Sequence, residues 1–405
     1  MHSSLSLRPA LVRTSVGLSA LAVAALIVAG CGGGGSDTTG STASAATGVS
    51  VGAIEGFGSI IVNGVRYDDS AAKVVGEDDS PSASDSLKLG MVVEVEHRGV
   101  SRDAAGGTDR SHADRIVYGS ALVGPVSAFN AADGTLEVLG QKVVVSSSTV
   151  FDADISNGLA GLADGQVVSV HGLFDKTTRT TAATRIELKA NAAFYRAKGV
   201  VSALDVNGKT LQFGTQVIDF SQVTGALPSD LADGAVLRTV LDTTPNAQGQ
   251  WVARKLKSVV SRIEDHHSAE VEGFVTTFTS ATSFVVNGLT VDATSAVFPH
   301  GQDALKLGAR VEVEGTVVSG VLVATKVELK QAHAARGLEL HGAITAVDST
   351  LRTFSLRGLT VSYSDTVVLQ HGSLSDLILG ARVEVRGSLS EDRRSVTATS
   401  IRFER

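Results

Sequence analysis

The chain has 405 residues, enough for several domains, and a formal net charge of −7 at pH 7. Aromatic residues make up 4% and there is one Trp, Trp251. An acidic chain with few stacking side chains is not expected to bind nucleic acid, because single strands need a basic groove with aromatic platforms. The 43 Gly, the 6 Pro and the many Val, Thr and Ser residues suit a turn-rich all-β protein.

Residues 1–30 have the form of a bacterial export signal. Two arginines precede an apolar stretch from Leu18 to Ala29, which is too short to span a bilayer comfortably. The segment ends in Val28-Ala29-Gly30-Cys31, which resembles the lipobox of bacterial lipoproteins. The resemblance implies that Cys31 is lipidated and anchors the protein to a membrane. Cys31 is also the only cysteine of the chain, so no internal disulfide is expected.

Residues 31–50 are predicted to form a flexible tether. Four glycines follow the cysteine, and the Ser/Thr/Ala/Gly stretch after them cannot bury a core. Position 32 is Gly, whereas Asp there resembles an inner-membrane retention signal of Gram-negative lipoproteins. Gly32 therefore favours an outer-membrane anchor facing the periplasm or the cell surface. Removal of residues 1–30, which contain two Arg and no acid, leaves a formal net charge of −9.

The rest of the chain is organised by a frame, Leu-x-x-Gly-x-x-Val-x-Val-x-Gly, that recurs with small changes five times. Its copies are Leu87–His97, Leu162–Gly172, Leu231–Leu241, Leu305–Gly315 and Leu377–Gly387. A spacing of roughly 70–75 residues indicates one structural unit copied in tandem. The predicted repeats are residues 51–119, 120–190, 195–263, 269–331 and 338–405.

Each repeat is predicted to contain an opening strand, a hairpin, a polar loop, the frame strand and a closing strand. The hairpins contain Asn63-Gly64 and Asn287-Gly288, a pair that favours type I′ turns. Ser229–Asp233 and its equivalents are expected to form one helical turn before the frame Gly, which should have positive φ. Five or six short strands cannot make two covered sheets, whereas a closed barrel removes the edges. The fold class is therefore all-β, with five tandem small OB-like antiparallel β-barrels after the signal peptide and tether.

These motifs resemble those of bacterial lipoproteins and secreted proteins with tandem small β-barrel domains of unknown function. The matching features are the opening Gly56–Gly64, the frame itself and the closing Ala-Thr-x-Ile/Val segments. Together they cover residues 51–405. The resemblance implies a fold unit and brings no activity with it.

Candidate chemical sites are few. Glu264, Asp265, His266 and His267 form the densest group of metal-capable side chains, although adjacent strand residues point oppositely and a solvated linker is the simpler interpretation. The acidic segments Asp68-Asp69 and Glu77–Asp79 lack the ligand spacing of a known calcium loop. Gly48–Gly52 matches the Gly-x-Ser-x-Gly pattern but lacks the strand before and the helix after it that a nucleophile elbow needs. Scattered histidines such as His171 are expected on the surface.

The leading hypothesis is a lipid-anchored, non-enzymatic envelope protein with a spacer or interaction role, without cofactors. Its partners are the membrane, through the lipid, and an envelope protein or glycan that the sequence does not identify. The alternative is a ligand-binding module for a glycan or a divalent cation. An envelope hydrolase is disfavoured, since acid–base chemistry needs paired groups in one cleft and no such pair is evident.

Overall fold

The computed structural model describes most of the chain after the export signal. The described residues are 47–57, 59–76, 80–101, 109–146, 149–176, 178–259, 268–286, 289–330, 338–390 and 395–404. The predicted export signal and the tether as far as residue 46 lie outside them. Within the described residues, no helix has the length and hydropathy to cross a membrane.

The first two repeats each contribute six strands. The first barrel has β1 Thr47–Gly56, β2 Ile60–Val62, β3 Val65–Asp68, β4 Lys73–Gly76, β5 Val92–Ser101 and β6 Arg110–Tyr118. The second barrel has β7 Leu122–Asn130, β8 Thr135–Val138, β9 Gln141–Val144, β10 Val150–Phe151, β11 Val167–Asp175 and β12 Thr180–Leu188.

The remaining three repeats follow the same plan. The third barrel has β13 Tyr195–Asp205, β14 Thr210–Phe213, β15 Gln216–Asp219, β16 Val236–Leu241 and β17 Trp251–Ser258. The fourth has β18 Ser268–Ser280, β19 Ser283–Val286, β20 Leu289–Asp292, β21 Arg310–Val318 and β22 Val321–Leu329. The fifth has β23 Leu338–Asp348, β24 Thr353–Leu356, β25 Leu359–Ser362, β26 Val368–Gln370, β27 Arg382–Leu389 and β28 Ser395–Phe403.

Strand pairing closes each repeat into a five-stranded ring. We name the ring strands a to e in chain order; in the fourth barrel they are β18, β19, β20, β21 and β22. There a pairs with b, b with c, c with e in parallel, e with d, and d with a. The described parts of the other four repeats close in the same order, with β4, β10 and β26 as extra strands beside e. This is the strand order of an OB fold, and the predicted fold class is confirmed.

The glycine at the turn of each frame has the backbone conformation that the sequence predicted. Gly90, Gly165, Gly234, Gly308 and Gly380 have φ between +77° and +86°. A side chain is strained in this left-handed region, so Gly is favoured at the turn. The Asn63-Gly64 turn likewise has both φ values positive, as a type I′ hairpin requires.

The last glycine of the frame lies at a β-bulge between strands d and e. The register shifts at Gly172, Gly315 and Gly387. A Cβ on Gly315 would lie 2.2 Å from the carbonyl oxygen of Val323 on the neighbouring strand. In these three barrels the bulge brings two backbones too close for a side chain. The bulge is also present at His97 and Leu241 in the first and third barrels, where a side chain is accommodated.

The alternating valines of the frame fill the barrel interiors. Val311 and Val313 in the fourth barrel, and Val383 and Val385 in the fifth, are fully buried. The third repeat, whose frame departs most from the pattern, keeps the same register with a shorter d strand. The side chains on either side of each valine therefore point out of the barrel.

The barrels also pair with one another out of sequence order. Strand β1 begins at Thr47, inside the predicted tether, and its residues Gly48–Val51 pair in parallel with Ser268–Val271 of β18. The first barrel thus shares a continuous sheet with the fourth. The tether prediction is wrong for these last residues, because the β18 edge supplies the hydrogen bonds that a free tether would lack.

Two buried arginines join the first barrel to the second and the fifth. Arg185 donates to the carbonyl oxygen of Leu89 at 3.1 Å, and Arg357 donates to that of Leu87 at 3.0 Å. Arg357 also stacks over the ring of Phe57, 4.5 Å from its centroid. The frame turn of the first barrel is therefore a docking surface for two other barrels.

One local expectation, the helical turn before the frame Gly, holds for three repeats and not for the third, and the expected surface position of His171 is wrong. Residues 229–233 form no helical turn, whereas short 3₁₀ turns do occur at Ser84–Ser86, Gly158–Gly161 and Leu374–Asp376. His171 is not on the surface: it is 2% exposed and its Nδ1 lies 3.0 Å from the carbonyl oxygen of Gly119. Burial lowers the pKa of His171 to about 4, so its imidazole is neutral at pH 7 and burial is tolerated.

Candidate functional site

The strongest candidates from the sequence lie outside the described residues. These are the lipidation residue Cys31, the Glu77–Asp79 segment and the metal-capable group Glu264, Asp265, His266 and His267. Of the other acidic segment, Asp69 accepts a hydrogen bond from the Ser84 hydroxyl and Asp68 accepts one from the backbone N–H of Ser70. Asp68 therefore holds a local backbone turn in place, and Asp69 ties its loop to the 3₁₀ turn at Ser84–Ser86.

The structure assembles a different group of carboxylates, on the outside of the fourth barrel. Strands β18 and β21 place Glu270 directly opposite Glu314, and Glu272 directly opposite Glu312. One carboxylate oxygen from each of Glu270, Glu312 and Glu314 lies within 4.8 Å of the others. We call Glu270, Glu272, Glu312 and Glu314 the carboxylate cluster.

The first barrel lies against the cluster, in which Glu272 and Glu312 are buried and Glu270 and Glu314 are half-buried. Since β1 continues the sheet beyond β18, the outer face of the fourth barrel becomes continuous with the inner face of the first. Ser50 stands next to Glu270 in this sheet and its hydroxyl donates to Glu270 at 3.2 Å. The same hydroxyl shares a hydrogen bond of 2.6 Å with Tyr67. The cluster therefore connects two barrels through a polar contact.

Burial and mutual repulsion favour protonation of two of these carboxylates. Burial raises the pKa of Glu270 to about 9, and the charges of Glu312 and Glu314 add to the increase. Burial also raises the pKa of Glu312, which reaches about 7 although Lys330 opposes the change. Burial and the charge of Glu270 raise the pKa of Tyr67 well above its usual range. Glu270 thus carries a proton at neutral pH.

Cations offset part of the remaining charge. Lys330 Nζ lies 2.7 Å from Glu312, and Lys326 Nζ lies 2.7 Å from Glu314. Arg310 pairs with Glu272. The arrangement can hold a proton between carboxylates, and a hard cation that displaced that proton would find oxygen ligands there.

Ser50 belongs to the Gly48–Gly52 segment that matches a nucleophile-elbow pattern. It is fully buried in the middle of β1, and a strand follows it where an elbow needs a helix. Ser50 serves as a hydrogen-bonding link between Tyr67 and Glu270.

A row of three outward residues crosses strands a, d and e of every barrel at the same register position. We call it the a–d–e row. Its members are Val51–Glu94–Val117, Val123–Ser169–Glu187, Lys198–Arg238–Lys257, Glu272–Glu312–Glu328 and His341–Glu384–Arg402. The third barrel has three cations there and the fourth has three carboxylates. The barrels thus share a core pattern and differ in the charge of this outward row, part of which is buried in the folded chain.

The sequence contained a signal for the carboxylate cluster that the motif search missed. Glu312 and Glu314 alternate with the inward valines of the frame, so both must point outward. Glu270 and Glu272 have the same two-residue spacing. Only the register between β18 and β21 shows that the two pairs face each other, and only the fold shows that the first barrel covers them.

Comparison with known proteins identifies the repeats without assigning an activity. Residues 123–187, 272–328 and 341–402 match a family model described as a domain of unknown function, DUF5666. These segments coincide with the second, fourth and fifth barrels. No curated protein matches the chain.

Among solved structures, one described as drosophila Unr CSD456 is similar to this chain at 13% identity. The match covers 53% of this chain and 98% of that one, with a TM-score of 0.14. The three family matches agree with the repeated barrels: this chain is a tandem array of β-barrel domains of unknown function.

Proposed function

We propose that this protein is a lipid-anchored, non-enzymatic component of the bacterial cell envelope that presents its barrels to other envelope molecules. The observation that carries the proposal is the a–d–e row. Barrels with a common core carry cations, carboxylates or apolar side chains at one register position. Faces that meet different neighbours, some of them other barrels of the same chain, diversify in this way, whereas a repeated catalytic site would keep one set of side chains.

Contacts between barrels favour an interaction scaffold over an extended spacer. The first barrel pairs with the fourth through β1 and β18, and it bonds to the second and fifth through Arg185 and Arg357. In a spacer of independent units, neighbours in sequence would be the only neighbours in space. These contacts instead hold differently charged faces in fixed relation to one another.

Membrane anchoring can be tested at Cys31. Acylated lipoproteins bind stably because more than one acyl chain inserts into the bilayer. Cys31→Ser should move the protein from the membrane fraction to the soluble fraction of a bacterial host, whereas Ser36→Ala in the tether should leave it with the membranes. Retention of the Cys31→Ser protein after a carbonate wash would contradict the lipid anchor.

The scaffold itself can be tested by crosslinking the first barrel to the fifth. Asp85 of the first barrel pairs with Arg382 of the fifth at 3.1 Å. In a Cys31→Ser background, cysteines at positions 85 and 382 should be joined efficiently within one chain by a short bis-maleimide. Cysteines at the exposed positions Lys73 and Lys306 serve as the comparison pair. If the 85/382 pair were crosslinked no more than the comparison pair, or not at all, the result would favour independent barrels.

The carboxylate cluster favours a second candidate function, binding of a divalent cation. Carboxylates from Glu270, Glu312 and Glu314 within 4.8 Å of one another are the ligand type that Ca²⁺ prefers. Calorimetry with Ca²⁺ and with Zn²⁺ tests it on the whole mature chain. Saturable heat that is lost in Glu314→Gln and kept in Glu137→Gln would support it, whereas no saturable heat above pH 8 would refute it.

A further inference from the structure

A cleft between the first three barrels concentrates positive charge in an otherwise acidic protein. It has a volume of about 260 Å³, and strands β13, β16 and β17 of the third barrel form one wall. The basic residues that line it are Arg115, Arg196, Lys198, Arg238, Lys255 and Lys257. Glu94 is the one acidic residue of the lining, although the chain as a whole has a formal net charge of −7.

The register of the third barrel places like charges side by side in this cleft. Lys198 lies directly opposite Arg238, and Arg238 directly opposite Lys257, so three neighbouring strands carry a cation at the same level. Like charges in this relation lower the stability of a sheet. At the same level the fourth barrel carries three carboxylates, so the fold does not require cations there. Three aligned cations that the fold does not impose, at the wall of a cleft, are suited to an anionic ligand.

The cations are spaced to hold more than one negative group. Adjacent strands are about 4.8 Å apart, so the row from Lys198 to Lys257 spans about 10 Å. Arg196 is two residues from Lys198 on β13, and Lys255 is two residues from Lys257 on β17, so both lie on the same face as the row. Two residues along a strand correspond to about 7 Å. An anion with two charged groups would therefore meet cations at both ends.

The other wall strengthens the attraction. Leu173, Phe174 and Val117 contribute apolar surface, which lowers the local polarizability and concentrates the field of the cations. Lys198 Nζ lies 5.7 Å from the centroid of the Phe174 ring, a cation–π contact that holds the ammonium group at the cleft. Arg196 and Arg238 add guanidinium groups, whose planar donors match phosphate and carboxylate oxygens.

We propose that this cleft binds a small organic anion with two or more negative groups, of the phosphate-ester or polycarboxylate class. The volume is below that of a drug-sized site, so a small metabolite fits and a nucleic-acid strand does not. The site uses the outer face of strands a, d and e of the third barrel. OB folds bind their oligomeric ligands on strands 2 and 3 and the adjoining loops, so this is a different surface. The inference does not depend on the lipid anchor or on the absence of catalysis.

The test is calorimetric titration of the whole mature chain with pyrophosphate and with citrate, each compared with acetate. Saturable binding of pyrophosphate or citrate, weakened at least about tenfold by the double substitution Arg238→Gln and Lys257→Gln, is expected. The control double substitution Lys142→Gln and Lys306→Gln removes two exposed cations elsewhere and should change the affinity less than about twofold. Acetate should not saturate, because it has one charged group. The preference between pyrophosphate and citrate distinguishes the phosphate from the carboxylate source.

A second readout is thermal unfolding. Pyrophosphate or citrate should raise the midpoint of the unmodified chain and not that of the variant with Arg238→Gln and Lys257→Gln. No saturable binding of either anion, equal weakening in the control, or binding only of a long single-stranded DNA would overturn the proposal.

Discussion

Arg185 of the second barrel donates a hydrogen bond to the carbonyl oxygen of Leu89 in the first, although 96 residues separate them. The rest of its guanidinium group bonds to Asp152 at 2.5 Å and to Glu187 at 2.7 Å. Burial would raise the pKa of Glu187, but Arg185 and Lys88 hold it well below its usual range. A fully buried cation thus joins two barrels and neutralises two carboxylates.

Arg185→Ala should therefore be strongly destabilising. Removal of one partner leaves buried carboxylates uncompensated, which costs about 3–5 kcal/mol. The comparison is Arg352→Ala, whose partner Asp365 lies 2.7 Å away in an exposed pair and whose loss should cost far less stability, because solvent screens such pairs. Both losses of stability are measured by urea unfolding of the whole mature chain, from the midpoint of its first unfolding transition. Equal effects would mean that the Arg185 network contributes no more than a surface pair.

Replacement of a frame glycine should cost more where another barrel lies against it. Gly90 and Gly165 share positive φ, but a Cβ on Gly90 would lie 2.5 Å from the carbonyl oxygen of Thr184, whereas Gly165 has open space. Gly165→Ala should cost about 1 kcal/mol from backbone strain alone. Gly90→Ala should exceed it by at least about 1 kcal/mol, because the second barrel must shift. Similar unfolding midpoints for the two variants would show that the junction is loose.

The bulge glycines give a separate prediction. Gly315→Ala would place a methyl group 2.2 Å from the carbonyl oxygen of Val323, which is backbone and cannot move alone. We expect destabilisation of the fourth barrel by about 1–3 kcal/mol. Gly56→Ala is the control, because its Cβ would meet first the flexible end of Ile61 at 3.2 Å. Hydrogen exchange of the β21 and β22 amides should rise in Gly315→Ala and stay unchanged in Gly56→Ala.

The carboxylate cluster should make stability fall as pH rises. The folded state binds a proton at Glu270 up to a pKa of about 9, whereas the unfolded chain releases it near 4.5. The stabilisation is thus complete below pH 4.5 and is lost as the pH rises towards 9. Glu270→Gln, which mimics the protonated form, should raise the free energy of unfolding at pH 8.5 by at least about 1 kcal/mol, the equivalent of one pKa unit.

The control for this pH dependence is Glu328→Gln in the same barrel. Lys326 and other nearby cations hold the pKa of Glu328 below its usual value although burial opposes them, so its contribution has the opposite sign. The decline in the urea midpoint between pH 5.5 and 8.5 should persist in Glu328→Gln and become smaller in Glu270→Gln. An equal decline in both variants would exclude Glu270 as the titrating group.

The sequence predicted the fold unit well because the information is local. A frame such as Leu305–Gly315 specifies a turn, two inward valines and a bulge, and all three follow from backbone geometry. The charges of the sites were equally visible in sequence, but their proximity was not. Glu270 and Glu314 meet only through strand register, and Lys198, Arg238 and Lys257 meet only when three strands align. Contacts between barrels, such as that of Arg357 with Leu87, produce no periodic pattern in the sequence.

The pairing of β1 with β18 also has a consequence for biosynthesis. Ser50 emerges from the ribosome 220 residues before Glu270, its neighbour in the finished sheet. Until the fourth repeat has been synthesised, the edge of β1 that will face β18 has exposed amide and carbonyl groups. Exposed edges of this kind recruit strands from other molecules. This edge of the nascent chain is therefore open to self-association until the β18 residues have been made.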